Sequence, residues 1–555
     1  MSLRPVRAAL ALLLGLAGLV TGIAPASVAA AAGPVQLAIA VPLVVPEGTT
    51  GLIDADTLAL YTSPGGLLSR QLDSVLNRSV AIGIDPMILA SIRILGVSAP
   101  QSATTWLARL ASASNQTFAL GYSDTDLTLA IQAGASSMLA PQSFSFAVDP
   151  TLFAAATTAT PTPTPSPTSS ETADPANPVF PALPSTASLI SWPYSIDDVA
   201  WPREGTVVGH DLDVISSGRT ATTIVSSSNL ARSSGAGSVV DVTGNSVLVS
   251  DDSVSTALRS AARAASQEEW LGAMATLSTA IADAARTESA VGATLFATLD
   301  RSPGTNIRLA DTLVQLSTMP GVTSIPISQA IAAAPSTATL VELRQDAPRV
   351  AMVSRLLVAE REEQQLASVA DDPLAITAQR RLELLALLSN GWQPDSSGWM
   401  SAAQDFLTAS GSLVSAVQVV SSSGFNLLAD RASLPITVSN ELDQPVTVYI
   451  TVRPDTALLA VGESRVKLVI EPRSQGKGQI PVQAISNGTV RLTVSLTSTA
   501  GMPIGQPTRT KINVQAGWET PVVLLIAGLV VALFAFGLVR SVLRRRRPAA
   551  VPALD

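Results

Sequence analysis

The stretch SVAIGIDPMILASIRILG, residues 79–96, opens as a strand and closes as a helix, with one carboxylate, Asp85, at the junction. An Asp followed by Pro at such a boundary reads as a helix cap. Its side chain can accept the free N–H groups of the first turn, and Pro at the first helical position gives up a donor that had no partner. The same device recurs at Asp149 and Pro150 in FAVDPTLF, which points to a structural role for Asp85. A strand feeding a helix is also the repeating unit of α/β folds, and outward from this stretch the unit does repeat.

Upstream, PVQLAIAVPLVV (34–45) is a strand followed by helical text, and downstream TFALGYSDTD (117–126) begins another unit. A Pro/Thr-rich tract, 156–180, can form neither helix nor sheet and reads as a disordered insertion. Beyond it come SLISWPYS (188–195), TATTIVSSS (220–228), SVLVSDD (246–252) with a long amphipathic helix, ATLFATLDR (293–301) and VTSIPIS (322–328). Short β-branched runs alternating with helices imply a parallel sheet. Seven or eight such units predict a (β/α) barrel over residues 33–336, with a doubly wound open sheet as the alternative. From 337 to 431 the apolar spacing is helical only. From 432 to 516 period-two alternation returns, with turn residues between runs, and predicts an immunoglobulin-like β-sandwich without a disulfide.

The two ends address the chain to a membrane. Arg4 and Arg7 precede an apolar run, 8–20, and a small-residue segment, which together describe a secretory signal peptide over 1–32. The run PVVLLIAGLVVALFAFGLV, 521–539, carries no charge and would form a helix about 28 Å long. Trp518 stands before it, and Arg540 and Arg544 to Arg547 follow. A transmembrane helix over 519–540 is predicted, with the basic tail 541–555 in the cytoplasm and all that precedes the span outside. The prediction is a single-pass type I membrane protein.

Composition narrows the chemistry. The formal charge of −8 argues against a nucleic-acid partner. With no Cys there is no thiolate nucleophile and no zinc–thiolate site, and the single His, His210, cannot supply two imidazole ligands or be spared for a triad lacking a G-x-S-x-G elbow. No phosphate loop occurs, so no cofactor or metal is expected. What remains are acids at strand ends: Asp85, Asp124, Asp126, Asp251, Asp252 and Asp300. Glycoside hydrolysis uses two carboxylates across the scissile bond, and Asp251, Asp252, Asp300 and Asp124 are the candidates, with helix capping as the competing explanation. Aromatic residues make up only 4% of the chain, yet Trp192, Tyr194 and Trp201 cluster in SWPYSIDDVAW, as either a sugar-stacking platform or a seal on the strand ends.

Several stretches together carry a resemblance: IAVPLVVPEG (39–48), LSRQLDSVL (68–76), VAIGIDPMILASIRILG (80–96), WLARL (106–110), DVAWPREG (198–205), NGWQPDSSGW (390–399), LPITVSNELDQPVTVYITVRP (434–454) and the arginine-rich terminus. Over nearly its whole length the chain resembles an uncharacterised actinobacterial family of secreted, single-pass envelope proteins. Members are typically encoded near the lipid II flippase, which implies an association with cell-wall assembly. The barrel expected here is similar to glycoside hydrolase and deacetylase barrels, although the metal-binding histidines of the latter are missing. Two functions follow as expectations. One is a non-catalytic binding or scaffold module facing cell-wall glycan or envelope-assembly proteins; the other is a carboxylate-dependent glycoside hydrolase.

Overall fold

A computed structural model of the chain describes residues 34–153, 183–218, 220–232, 237–288, 293–420, 424–427, 429–514 and 519–545. The expected signal peptide, the Pro/Thr-rich insertion, Trp518 and the tail beyond Arg545 lie outside the described residues. In the first half the strands are β1 (Val35–Leu43), β2 (Ala81–Ile84), β3 (Thr117–Ala119), β4 (Val199–Ala200), β5 (Thr222–Ser226), β6 (Leu230–Arg232), β7 (Val239–Val242), β8 (Asn245–Ser250), β9 (Thr294–Thr298), β10 (Val322–Ser324) and β11 (Ser336–Leu340).

These strands build two sheets. β1, buried along most of its length, pairs in parallel with β2, β9 and β10, and β3 adds to β2. The second sheet runs β4-β5-β8-β7-β11-β6. In it β4, β5 and β8 are parallel, but β7 runs antiparallel to β8 and β6 antiparallel to β11. The expected (β/α) barrel is therefore not formed. Two curled half-barrel sheets, one parallel and one mixed, instead face each other across an apolar layer that includes Ala38, Phe118, Trp201, Ile224, Leu248 and Phe296.

The departure has a local cause in residues 222–250. A barrel needs a helix after each strand, but β5 is followed by a single 3-10 turn, Ser227–Asn229, and then by two more strands. Between β7 and β8 stand Thr243 and Gly244 with φ of 53° and 91°. Two positive φ values make the hairpin turn whose twist suits the strands it joins. The segment SVLVSDD is thus one arm of a hairpin as well as a parallel neighbour of β5.

Helices cover the outer face of the parallel sheet and bury Leu68, Leu72, Trp106, Leu258 and Leu277. Three longer helices follow, Ala347–Ala367, Pro373–Leu387 and Ser396–Val414, around Leu356, Leu384, Trp392 and Trp399. Within them Glu363, fully buried, pairs with Arg380 at 2.9 Å, and that guanidinium lies 3.8 Å from the Phe406 ring centre. Residues 417–514 form two mostly antiparallel sheets of four and five strands with one shared core. Leu366 and Val369 enter that core, and the Thr447 N–H donates to the Val369 carbonyl at 2.8 Å, so helices and sandwich are packed as one. The last helix is Glu519–Arg545. Among the described residues its segment Val522–Arg545 alone is long and apolar enough to cross a membrane, with a mean hydropathy of 3.0 and none of it buried against the rest of the chain. That is compatible with membrane anchoring.

One close approach couples the strand-end loops to the helices. Gly51 has φ of 68°, and a Cβ there would collide with the Leu382 carbonyl on Pro373–Leu387. The Tyr122 hydroxyl donates to the Gly51 carbonyl at 2.6 Å. Gly51→Ala is expected to destabilise the protein by about 2 kcal/mol or more, the left-handed backbone alone costing roughly 1–2. A melting temperature unchanged in the variant would show that the loop does not lie this close to the helix.

Candidate functional site

The junction Asp85 is a helix cap and also more than that. Its Oδ1 accepts the Met87 N–H at 2.9 Å at the start of helix Pro86–Arg93, and it accepts the Ser123 N–H at 2.8 Å as well. Ser123 and Asp124 both hold left-handed backbone, with φ of 57° and 47°. Such a conformation is unfavourable for residues with a Cβ and persists only where surroundings impose it. Here Asp85 holds the first residue. Asn390 holds the second by donating Nδ2–H to the Asp124 carbonyl at 2.8 Å, and Arg301 pairs with the Asp124 carboxylate.

Both acids are deeply buried, Asp85 at 1% exposure. Burial pushes the Asp85 carboxyl up to about 8, its two N–H donors pulling the other way and the neighbouring Asp124 adding to the rise. Asp85 is therefore largely protonated at neutral pH. Burial also raises Asp124, to about 6, with the Arg301 guanidinium opposing.

Beside this junction a cavity of about 530 Å³ opens at the C-terminal ends of β1, β4 and β9. Pro46 and Glu47 follow β1, Trp201 to Glu204 follow β4, and Leu299 to Pro303 follow β9; Asn390, Gly391 and Gln393 close it from the helical segment. Arg259 donates Nη1–H and Nη2–H to the two Glu204 oxygens, at 2.7 and 2.5 Å, and its Nε–H to the Thr298 carbonyl at 3.1 Å. Arg263 pairs with Asp300, which also accepts the Ser302 N–H. Arg301 pairs with Asp124, donates to the Trp201 carbonyl at 2.6 Å and lies 4.5 Å from the Trp201 ring centre.

The structure thus brings Asp300 and Trp201 to one pocket, with Asp124 joined to it through Arg301. It leaves the other candidates apart. Asp251 caps helix Asp252–Arg263 through the Val254 N–H at 3.0 Å, and Asp252 bonds to the Ser226 hydroxyl. Asp126 caps Leu127–Gln132 and accepts from the Gln345 amide. The aromatic trio is divided. Trp201 packs on Phe118 at 6.0 Å, Trp192 lies under Arg93 at 5.9 Å, and Tyr194 lines a separate hollow with Asp197 and Asp198. His210 is exposed in the first turn of helix Gly209–Ser217. Among the described residues no three His, Cys, Asp or Glu side chains gather where they could hold a metal. Arg203, Glu204, Arg259, Arg301, Asn390 and Gln393 escaped sequence reasoning. Four of them lie in or beside stretches that did stand out: DVAWPREG supplies Arg203 and Glu204, and NGWQPDSSGW supplies Asn390 and Gln393.

Fold and pocket together define an α/β module with a β-sandwich and a C-terminal apolar helix compatible with anchoring. The chain belongs to DUF6049, a family of unknown function whose sequence profile matches residues 8–550. No curated protein matches it. Among solved structures it is similar to native Escherichia coli alpha-2-macroglobulin, at 19% identity over 18% of this chain and a TM-score of 0.15; the chain spans only 7% of that protein's length. It is also similar to the Caenorhabditis elegans MSP family member WR4, at 13% identity over 18% of this chain and 99% of that one, TM-score 0.15. A PapD-like domain of human CEP192 matches at 11% identity over 18% of this chain and 85% of that one, TM-score 0.14.

The titration of Asp85 should be visible in stability. A carboxyl raised in the folded state keeps a proton that the unfolded chain releases near its ordinary 3.8. The stability linked to it is therefore full below about pH 4 and is lost as pH rises through about 8. Asp124 adds the same sign up to about 6. Asp85→Asn keeps an acceptor for both N–H groups and removes the titration, so its unfolding free energy should fall less steeply between pH 5 and 8.5, read from urea midpoints. Asp85→Ala should lose about 2–4 kcal/mol near pH 5, since it leaves two N–H groups without a partner, and the loss should shrink toward pH 8.5. A slope in Asp85→Asn equal to that of the wild type would sink the assignment of the proton to Asp85.

Proposed function

We propose that this protein is a single-pass envelope protein of the bacterial surface whose ectodomain binds cell-wall material without chemistry. In this reading residues 1–32 are the removed signal, 33–336 the ligand-binding module, 337–431 and 432–516 the helical and sandwich segments that space it from the lipid, 519–540 the span and 541–555 the cytoplasmic tail. The observation that carries it is convergence. Three stretches of the family resemblance, IAVPLVVPEG, DVAWPREG and NGWQPDSSGW, meet around one polar pocket although they are far apart in the chain. Glu204, Asp300 and Asp124, at or beside that pocket, are each engaged by an arginine, an arrangement that suits a preformed binding surface. The actinobacterial origin and the link to the lipid II flippase belong to the same proposal, and cell-wall glycan or an envelope-assembly protein is the expected partner.

A glycoside hydrolase is the second reading, and the raised Asp124 carboxyl is what favours it. Titration calorimetry of the purified chain with cell-wall glycan fragments separates the two. Binding heat without release of reducing ends supports the first reading. Release that is lost in Asp124→Asn and Asp300→Asn supports the second, and no heat at millimolar ligand removes both.

The orientation rests on Arg540, Arg544 and Arg545 following the apolar run. A cysteine placed by Ala549→Cys, in a chain that has none, is expected to resist impermeant thiol reagents in intact cells and to react after lysis. Labelling of intact cells would reverse the topology. Leu529→Arg should weaken insertion by about 2.5–3.5 kcal/mol and shift protein from membranes to the medium.

A further inference from the structure

Two donor groups on the pocket wall are left without partners among the described residues. Arg203 lines it, is half-buried, and its side chain has no ion-pair or hydrogen-bond partner among the described residues. Gln393 lines the same pocket with a buried Nε2 that donates to nothing.

Buried polar groups are nearly always hydrogen-bonded, and taking a cation even partly out of water without an ion-pair partner has a cost. The neighbouring cations show how such charges are otherwise settled here: Arg259 by Glu204, Arg263 by Asp300, Arg301 by Asp124. Two unused donor groups from separate segments, one of them cationic, are matched by a group with several acceptor oxygens and a negative charge. A guanidinium fork binds a carboxylate or a phosphate group in two parallel bonds.

We propose that this part of the pocket binds an oxyanion, the carboxylate or phosphate group of a saccharide ligand, with Arg203 as the pairing cation and Gln393 reinforcing it. The proposal rests on the binding reading above and names the part of the ligand that is recognised. Asn390, with an unpartnered buried Oδ1 on the same pocket, would accept from a ligand hydroxyl.

The test uses the full chain in detergent at low salt, with three probes: N-acetylmuramate, neutral N-acetylglucosamine and inorganic phosphate. Binding of N-acetylmuramate or of phosphate that weakens about tenfold or more in Arg203→Gln, and only partly in Arg203→Lys, supports the proposal, and whichever of the two probes binds identifies the source of the oxyanion. Arg203 makes no side-chain bond, so Arg203→Gln is expected to melt with the wild type, which separates a lost contact from a lost fold. Equal affinity for the acidic and neutral sugars, unchanged in Arg203→Gln, overturns the oxyanion site while leaving glycan binding standing. Phosphate binding that needs Arg203, with no affinity for either sugar, supports the oxyanion site and removes the glycan reading. No binding of any probe overturns both.

Discussion

The strand-end architecture depends on one oxygen. Asp85 Oδ1 ties the first turn of helix Pro86–Arg93 to the backbone of Ser123, two segments that otherwise share no hydrogen bond at this point. Ser123 and Asp124 hold left-handed backbone on the strength of that contact, of Asn390 and of Arg301. The chain of consequences runs outward from there. The strained turn aims Asp124 at Arg301, Arg301 lies against Trp201, and Trp201 with its neighbours forms a wall of the pocket. Strain at a position like this is stored by the surrounding fold and released only if several contacts fail together.

Asp85 also shows how capping and burial act on one group in opposite directions. A cap on an exposed helix end favours the charged carboxylate, as at Asp395, where the Gly398 N–H and the Ser397 hydroxyl hold the acid below its usual range. At Asp85 the same kind of N–H donor is present, but removal from water outweighs it and the acid keeps its proton. A protonated carboxyl still offers its carbonyl oxygen to two N–H groups, so the cap survives the loss of charge.

Much of this was legible from residue order and some was not. The Asp-Pro junction announced its cap, because capping is local and depends on side chains one to three residues apart. The strands of the parallel sheet were legible for the same reason. Closure was not, since it depends on whether each strand is followed by a helix, and β6 and β7 occupy the place of one between β5 and β8. The turn at Thr243 and Gly244 was the available sign, a threonine and a glycine between two β-branched runs. Of the site, Asp300 and Trp201 were within reach because strand ends are readable. The pairing arginines were not: Arg259, Arg263 and Arg301 find their acids across 55, 37 and 177 positions, and nothing in the order of residues encodes such a distance.

The charges around the pocket divide by saturation, and that division separates walls from receiving groups. Arg259 spends four of its five N–H donors on Glu204, on the Thr298 carbonyl and on the Thr298 hydroxyl. Arg301 is spent on Asp124, the Trp201 carbonyl and the Trp201 ring. Removing either partner of the Arg301–Asp124 pair would leave a buried charge alone, at a cost on the order of 3–5 kcal/mol, so these pairs make the walls stiff. Arg301 lines the pocket whereas its partner Asp124 does not, which puts a cation between that acid and anything the pocket holds. A general acid has to reach the atom it protonates, and here the path runs through a guanidinium. The groups left without partners include the donors Arg203 and Gln393 Nε2 and the acceptor Asn390 Oδ1. A surface built from ion pairs around a few unpartnered polar groups is rigid where it gives shape and open where it gives selectivity, and those are the requirements of recognition.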